Sequence, residues 1–97
     1  MSDGRYMANA TYRRAGGMLE AEIGDELVTL DVAKGDCFGF NEVATRIWRS
    51  LAEPKEFLQL RDELLAEYDV GIDLCTRELQ ELLDDLAAKG LVEKIAE

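Results

Sequence analysis

The chain has no histidine, so the commonest acid–base group and metal ligand is missing. Its two cysteines, Cys37 and Cys75, are too far apart for the spacing of a zinc site or a redox pair. Cys75 sits near the start of a helical pattern, where a thiol pKa can fall. It also lies on the apolar stripe of that helix, which predicts a small buried hydrophobe. Gly35 and Gly39 lack the pattern of a phosphate-cradling loop, and the many Asp and Glu residues fall at ordinary solvating positions. No catalytic, metal or cofactor site is therefore expected. What remains is the backbone of Gly35-Asp36-Cys37-Phe38-Gly39-Phe40-Asn41. Side chains alternate along a strand, placing Phe38 and Phe40 on one face, while Gly39 lets another backbone approach closely.

The surrounding elements must position that stretch. Leu19, Ala21 and Ile23 alternate with Glu20 and Glu22, a half-buried strand pattern. Gly24-Asp25 suits a two-residue type II′ turn into a second strand, whose Val28, Leu30 and Val32 are expected to face inward. Ala33-Lys34-Gly35 turns the chain into the third strand, residues 36–40. The meander so formed has one oily face that needs helices over it.

Three helices follow. Asn41 is a favoured N-cap for the first, in which Val43, Ala44, Ile47, Trp48 and Leu51 repeat at helical spacing until Pro54 stops it. The second is predicted over residues 55–68, with Phe57, Leu60, Leu64, Leu65 and Tyr68 inward. Asp73 can cap the third, whose stripe is Cys75, Leu79, Leu82, Leu83 and Leu86. Lys89-Gly90 ends it, with Leu91 folding back on Leu86, and Val92 and Ile95 make a short packing segment. Residues 1–17 are poor in apolar side chains and read as a flexible arm, with residues 10–14 as a candidate extra edge strand. Residues 18–97 are read as the single domain. The fold class is α+β and winged helix–turn–helix-like, a three-stranded antiparallel sheet followed by three helices.

With 21 acidic and 11 basic residues the net charge is −10. Nucleic-acid affinity rests largely on Lys and Arg neutralising phosphates, so neither DNA nor RNA is an expected partner, and an anionic membrane is disfavoured likewise. No apolar run reaches the roughly 20 residues of a membrane span, no signal peptide is visible, and unpaired cysteines suit a reducing cytoplasm. The winged-helix architecture keeps a DNA-binding regulator as the alternative reading. Its reading helix, however, would present Glu78, Glu81, Asp84 and Asp85 against Arg77 and Lys89. Strand addition is the other option. The third strand ends the meander, so its outer edge is free for a partner, and the acidic third helix can wall the groove.

From about Met18 to Ile95 the chain resembles the PqqD family, whose fold is the recognition element for ribosomally made, later modified peptides (the RiPP recognition element). The resemblance rests on Asp36-Cys37-Phe38-Gly39-Phe40-Asn41, where relatives have an aromatic-aromatic-Gly-Leu-Asn run. It continues through Glu42-Val43-Ala44-Thr45-Arg46-Ile47-Trp48, the Pro54 break, Ala66-Glu67-Tyr68-Asp69-Val70 and the closing Leu86-Ala87-Ala88-Lys89-Gly90-Leu91-Val92. Cys37 stands where relatives have an aromatic and Phe40 where they have leucine, which changes the expected pocket. The strand is more similar to stand-alone relatives in lasso-peptide clusters than to members serving pyrroloquinoline quinone synthesis.

The resemblance implies a non-catalytic adaptor that binds the leader of a precursor peptide and presents it to a maturation enzyme, such as a leader protease or a radical enzyme. It implies that the leader adds as a strand beside the third strand and lies against the third helix. The backbone of Asp36, Cys37, Phe38, Gly39 and Phe40 would then supply hydrogen bonds. Phe38 and Phe40 would line pockets with exposed edges of Leu79, Leu82, Leu83 or Leu86, and Glu78 and Asp85 would attract basic leader residues.

Overall fold

The computed structural model describes residues 10–96; the first nine residues of the expected arm lie outside the described residues. The elements run β1 (Thr11–Arg14), β2 (Met18–Ile23), β3 (Glu26–Asp31), β4 (Asp36–Phe40), α1 (Glu42–Ser50), β5 (Lys55–Glu56), α2 (Phe57–Glu67), α3 (Ile72–Ala88) and β6 (Val92–Ala96). They form two antiparallel three-stranded sheets, ordered β2-β3-β4 and β5-β1-β6, with three helices.

The β2-β3-β4 meander is set by its turns. Ile23 pairs with Glu26, leaving Gly24 and Asp25 as the loop. Gly24 has φ +65° and no non-glycine residue among those described has a positive φ, the signature of a type II′ turn. Asp31 pairs with Asp36 across the second turn, and β4 ends with Phe40 opposite Leu27.

This register reverses the expected inner face of the sheet. Leu27 and Thr29 are the buried residues of β3, whereas Leu19, Ile23, Leu30 and Val32 are exposed. Directly opposed residues share a face, so Leu27 and Thr29 go with Phe40 and Phe38. The two aromatic rings decide the matter, because burying them turns Leu19, Ala21, Ile23, Val28 and Leu30 outward. A one-residue change of register flips every side chain. The richest alternation in the sequence thus marks a surface.

Residues 11–14 form a strand, though not the edge strand expected of them. Structure begins before Met18: β1 is the middle strand of the second sheet, not a loose edge, with Ala10 and Tyr12 in the core. Arg14 then crosses to α1. Its Nε and Nη2 donate to the Trp48 carbonyl at 2.9 and 2.6 Å, and its guanidinium lies 4.6 Å from the centre of the Trp48 ring. A cation at the last turn of a helix is favoured by the helix dipole, and over an indole by its π face.

Local chemistry sets the helix limits. Asn41 Oδ1 accepts the Ala44 N–H at 2.8 Å, capping α1 as predicted. The second helix starts at Phe57 rather than 55, because Lys55 and Glu56 pair with Tyr12 and Thr11 as β5. Gln59 reaches back to accept the Glu56 N–H at 2.9 Å. The third helix starts before Asp73, with Gly71 at its N-cap position. At its end Gly90 takes φ +78°, Gly90 N–H bonds the Ala87 carbonyl and Leu91 N–H the Leu86 carbonyl. These are the two bonds of a Schellman ending, with Leu91 and Leu86 both buried as its hydrophobic contact. Arg46 ties α1 to α2 through Glu67 at 2.8 Å, and Ser50 donates to Glu63 beside it.

Candidate functional site: the groove between β4 and α3

Among the described residues β4 has β3 on one side and no strand on the other. At its C-terminal end a groove of about 530 Å³ opens, with Asn41 and Val43 on one wall and the α3 residues Glu78, Leu79, Glu81, Leu82 and Asp85 on the other. Val70 and Tyr68, from the α2–α3 connection, close its far end. Beside the middle of β4, Lys89 places its ammonium 5.9 Å from the centre of the Phe38 ring and 2.9 Å from Asp85 Oδ2. The free edge of β4 thus leads into a groove whose α3 side is apolar at Leu79 and Leu82 and acidic at Glu78, Glu81 and Asp85.

The sequence-predicted site residues divide into three groups. Asp36, Cys37 and Gly39 are exposed and Phe38 is half-buried on β4. Glu78, Leu82 and Asp85 line the groove on α3, and Leu79 forms its floor at 2 % exposure. Leu83 (0 %) and Leu86 (4 %) are closed inside the core and offer no edge to a ligand. The helical period explains this: Cys75, Leu79, Leu83 and Leu86 make one inward stripe, and Leu82 stands beside it. Phe40 is likewise a core residue, its ring packed edge-on against Trp48 at 5.4 Å. Lys89 is not among the expected peptide-binding residues, yet it stands beside Asp85 and Phe38. Its spacing of four and seven residues from Asp85 and Leu82 is the signal that could have found it.

Gly39 acts differently from the expectation. It pairs with Val28, so its missing side chain belongs to the outward face of the sheet. A Cβ there would meet nothing within 4 Å. The openness lies over the sheet, not along the edge of β4.

Ionisation in the site follows its surroundings. Burial pushes the Cys75 thiol up, and the nearby Asp62 and Glu78 charges act in the same sense against Arg61. A raised thiol pKa suits an inert core cysteine rather than a nucleophile. Burial and the Glu42 carboxylate together raise the Tyr68 hydroxyl. Among the described residues there is no group of three or more His, Cys, Asp or Glu placed to hold a metal ion. Among them too, no helix is long and apolar enough to cross a membrane.

Fold and site together define a winged helix–turn–helix-like α+β domain with a free strand edge set against its last helix. The chain belongs to the PqqD family: the family described as coenzyme PQQ synthesis protein D (PqqD) matches residues 26–92. Among solved structures it is similar to TbiB1 in complex with the TbiA(beta) leader peptide, at 35% sequence identity and a TM-score of 0.78, over 88% of this chain and 99% of that one. A lasso peptide synthetase B1 complexed with the leader peptide shares the fold, with a TM-score of 0.75 and 22% identity over 84% of this chain and 96% of that one. No curated protein matches the chain.

Proposed function

We propose that this chain is a non-catalytic cytoplasmic adaptor that binds the leader of a precursor peptide and delivers it to a maturation enzyme. The observation that carries the reading is the unpaired edge of β4, with a groove lined by α3 opening just past its C-terminal end at Asn41. An extended peptide gains main-chain hydrogen bonds from such an edge and specificity from alternate side chains entering flanking pockets. Here the groove takes an aliphatic side chain against Val43, Leu79 and Leu82, while Glu78, Glu81 and Asp85 attract neighbouring cations. The 35%-identical TbiB1, solved with a leader peptide, supports the same reading. Its product class is of the lasso-peptide type rather than the pyrroloquinoline-quinone type.

The enzyme half of the reading rests on the other side of the sheet. Leu19 and Ile23 are 59 % and 67 % exposed, and Leu30 and Val32 join them. An exposed apolar patch rimmed by charge marks an interaction surface, and a leader strand added to β4 would widen it. A leader protease or radical enzyme with a matching apolar face would then read adaptor and leader together.

The test is a fluorescence-anisotropy titration with the leader encoded beside this gene. Binding tighter than about 10 µM is expected, with Leu82→Asp weakening it at least tenfold, about 1.4 kcal/mol. Absence of binding to every leader of the cluster overturns the reading. The DNA-binding alternative would place the acidic surface of α3 against phosphates. Duplex DNA is expected to bind no tighter than the weak, roughly 10⁻⁴ M end of non-specific affinity.

A further inference from the structure

The surface along β4 and α3 is electrically lopsided. At the Asn41 end its groove is lined by Glu78, Glu81 and Asp85 and by no cation. Outside that lining, by β4 and the end of α3, stand two ammonium groups. Lys89 sits over Phe38. Lys34 reaches from the β3–β4 turn to the end of α3, with its Nζ 3.8 Å from where a Gly90 side chain would begin. Among the described residues Arg13, Arg14, Arg46, Arg49, Lys55 and Arg61 are each bound to a carboxylate. Lys89 is shared with Asp85. Among the described residues the Lys34 ammonium has no carboxylate partner; Asp31 accepts only its backbone N–H, at 3.2 Å. Asp31 and Asp36 also stand at this end, so it is near neutral while the Asn41 end is strongly negative.

We propose that Lys34 and Lys89 recognise an acidic side chain of the bound peptide and so fix the direction and register in which it lies. The inference rests on peptide binding at β4 and adds what the peptide must carry. The sheet that receives the strand is wholly antiparallel, and antiparallel pairing is slightly the more stable. A strand antiparallel to β4 enters at Asn41 and leaves at Asp36. Its basic residues therefore lie on its N-terminal side, against Glu78 and Glu81. Its acidic residue lies about five positions later, roughly 17 Å along an extended chain, between Lys34 and Lys89. Reversing the peptide would set its acid against Glu78 and Glu81, which costs affinity and steers away wrong partners.

The experiment is a selection from a displayed library of random 15-residue peptides, run in parallel on the native chain, a Lys34→Glu/Lys89→Glu variant and a Leu82→Asp variant. Circular dichroism and thermal melts verify that each is folded. The native chain is expected to enrich peptides with Lys or Arg before an aliphatic residue and Asp or Glu after it. The lysine variant should lose the acidic preference, and replacing the selected acid by Lys should weaken binding to the native chain about tenfold and restore it to the variant. Identical enrichment on the native and lysine-variant chains overturns the proposal while leaving the groove as a peptide site. Peptides that bind the Leu82→Asp chain equally well, or no enrichment at all, remove the peptide site and this inference with it.

Discussion

Trp48 joins the two sheets, and its removal tests that arrangement quantitatively. The side chain is 1 % exposed. Arg14 from β1 covers one face of the ring at 4.6 Å, and Phe40 from β4 meets it edge-on at 5.4 Å. Truncating a buried tryptophan to alanine costs about 3–5 kcal/mol, combining lost transfer energy with the cavity left behind. The Arg14 stacking adds about 0.5–1 kcal/mol, and the aromatic pair about as much again. Its indole Nε1 has no protein hydrogen-bond partner among the described residues, so Trp48→Phe chiefly forfeits volume. The expected order is Trp48→Ala losing at least 3 kcal/mol and Trp48→Phe about half of that. Urea unfolding followed by far-ultraviolet circular dichroism measures both, since the only tryptophan is gone as a fluorophore. A loss below about 1 kcal/mol for the alanine variant would refute the placement of α1 between the sheets.

Glu63 gives a pH prediction. Burial alone raises its carboxyl, but hydrogen bonds from Ser50 and Lys55 and the charges of Lys55 and Arg46 outweigh it and hold the pKa below its ordinary 4.5. The stabilisation is full above that value and disappears as pH falls through the lower folded pKa; Glu63→Gln should flatten the acid limb of a stability–pH curve, and an unchanged limb counts against the network. Cys37 is exposed and Cys75 buried, so a thiol reagent should label one equivalent rapidly in native protein and the second only on unfolding; two fast equivalents would contradict the core. Gly39→Val should leave the melting temperature unchanged, because a Cβ there meets nothing within 4 Å, and should leave leader affinity within about threefold while weakening capture of the maturation enzyme; tenfold weaker leader binding would return Gly39 to the peptide edge.

The elements themselves were legible where local chemistry defines them. Asn41 as a cap, Gly24-Asp25 as a tight turn and Gly90 as a helix stop are short-range events, and each is found in place. What could not be read locally was which side of a sheet faces inward. The apolar alternation of Leu19, Ala21 and Ile23 is a true strand signal, but it reports a face without saying what covers it. Long-range pairing misled in the same way. Residues 11–14 are a weak strand on their own, and β5 and β6 arrive from more than forty residues downstream to enclose them. Glu78, Leu82 and Asp85 are expected in the site from the family resemblance, and the structure places all three in the lining of one groove. Lys34 was read only as part of a turn, because the reach of its side chain to the end of α3 depends on tertiary placement.

The most direct test of leader binding is an amide map of the isotopically labelled chain, titrated with its cluster's leader peptide and followed by backbone chemical shifts and hydrogen exchange. The account predicts that the largest shifts trace Asp36–Phe40 and the α3 positions Glu78, Leu82 and Asp85, and that exchange slows along the outer edge of β4 as its amides gain partners. Shifts centred instead on the free edge of β2 or β6, with β4 unchanged, would contradict it.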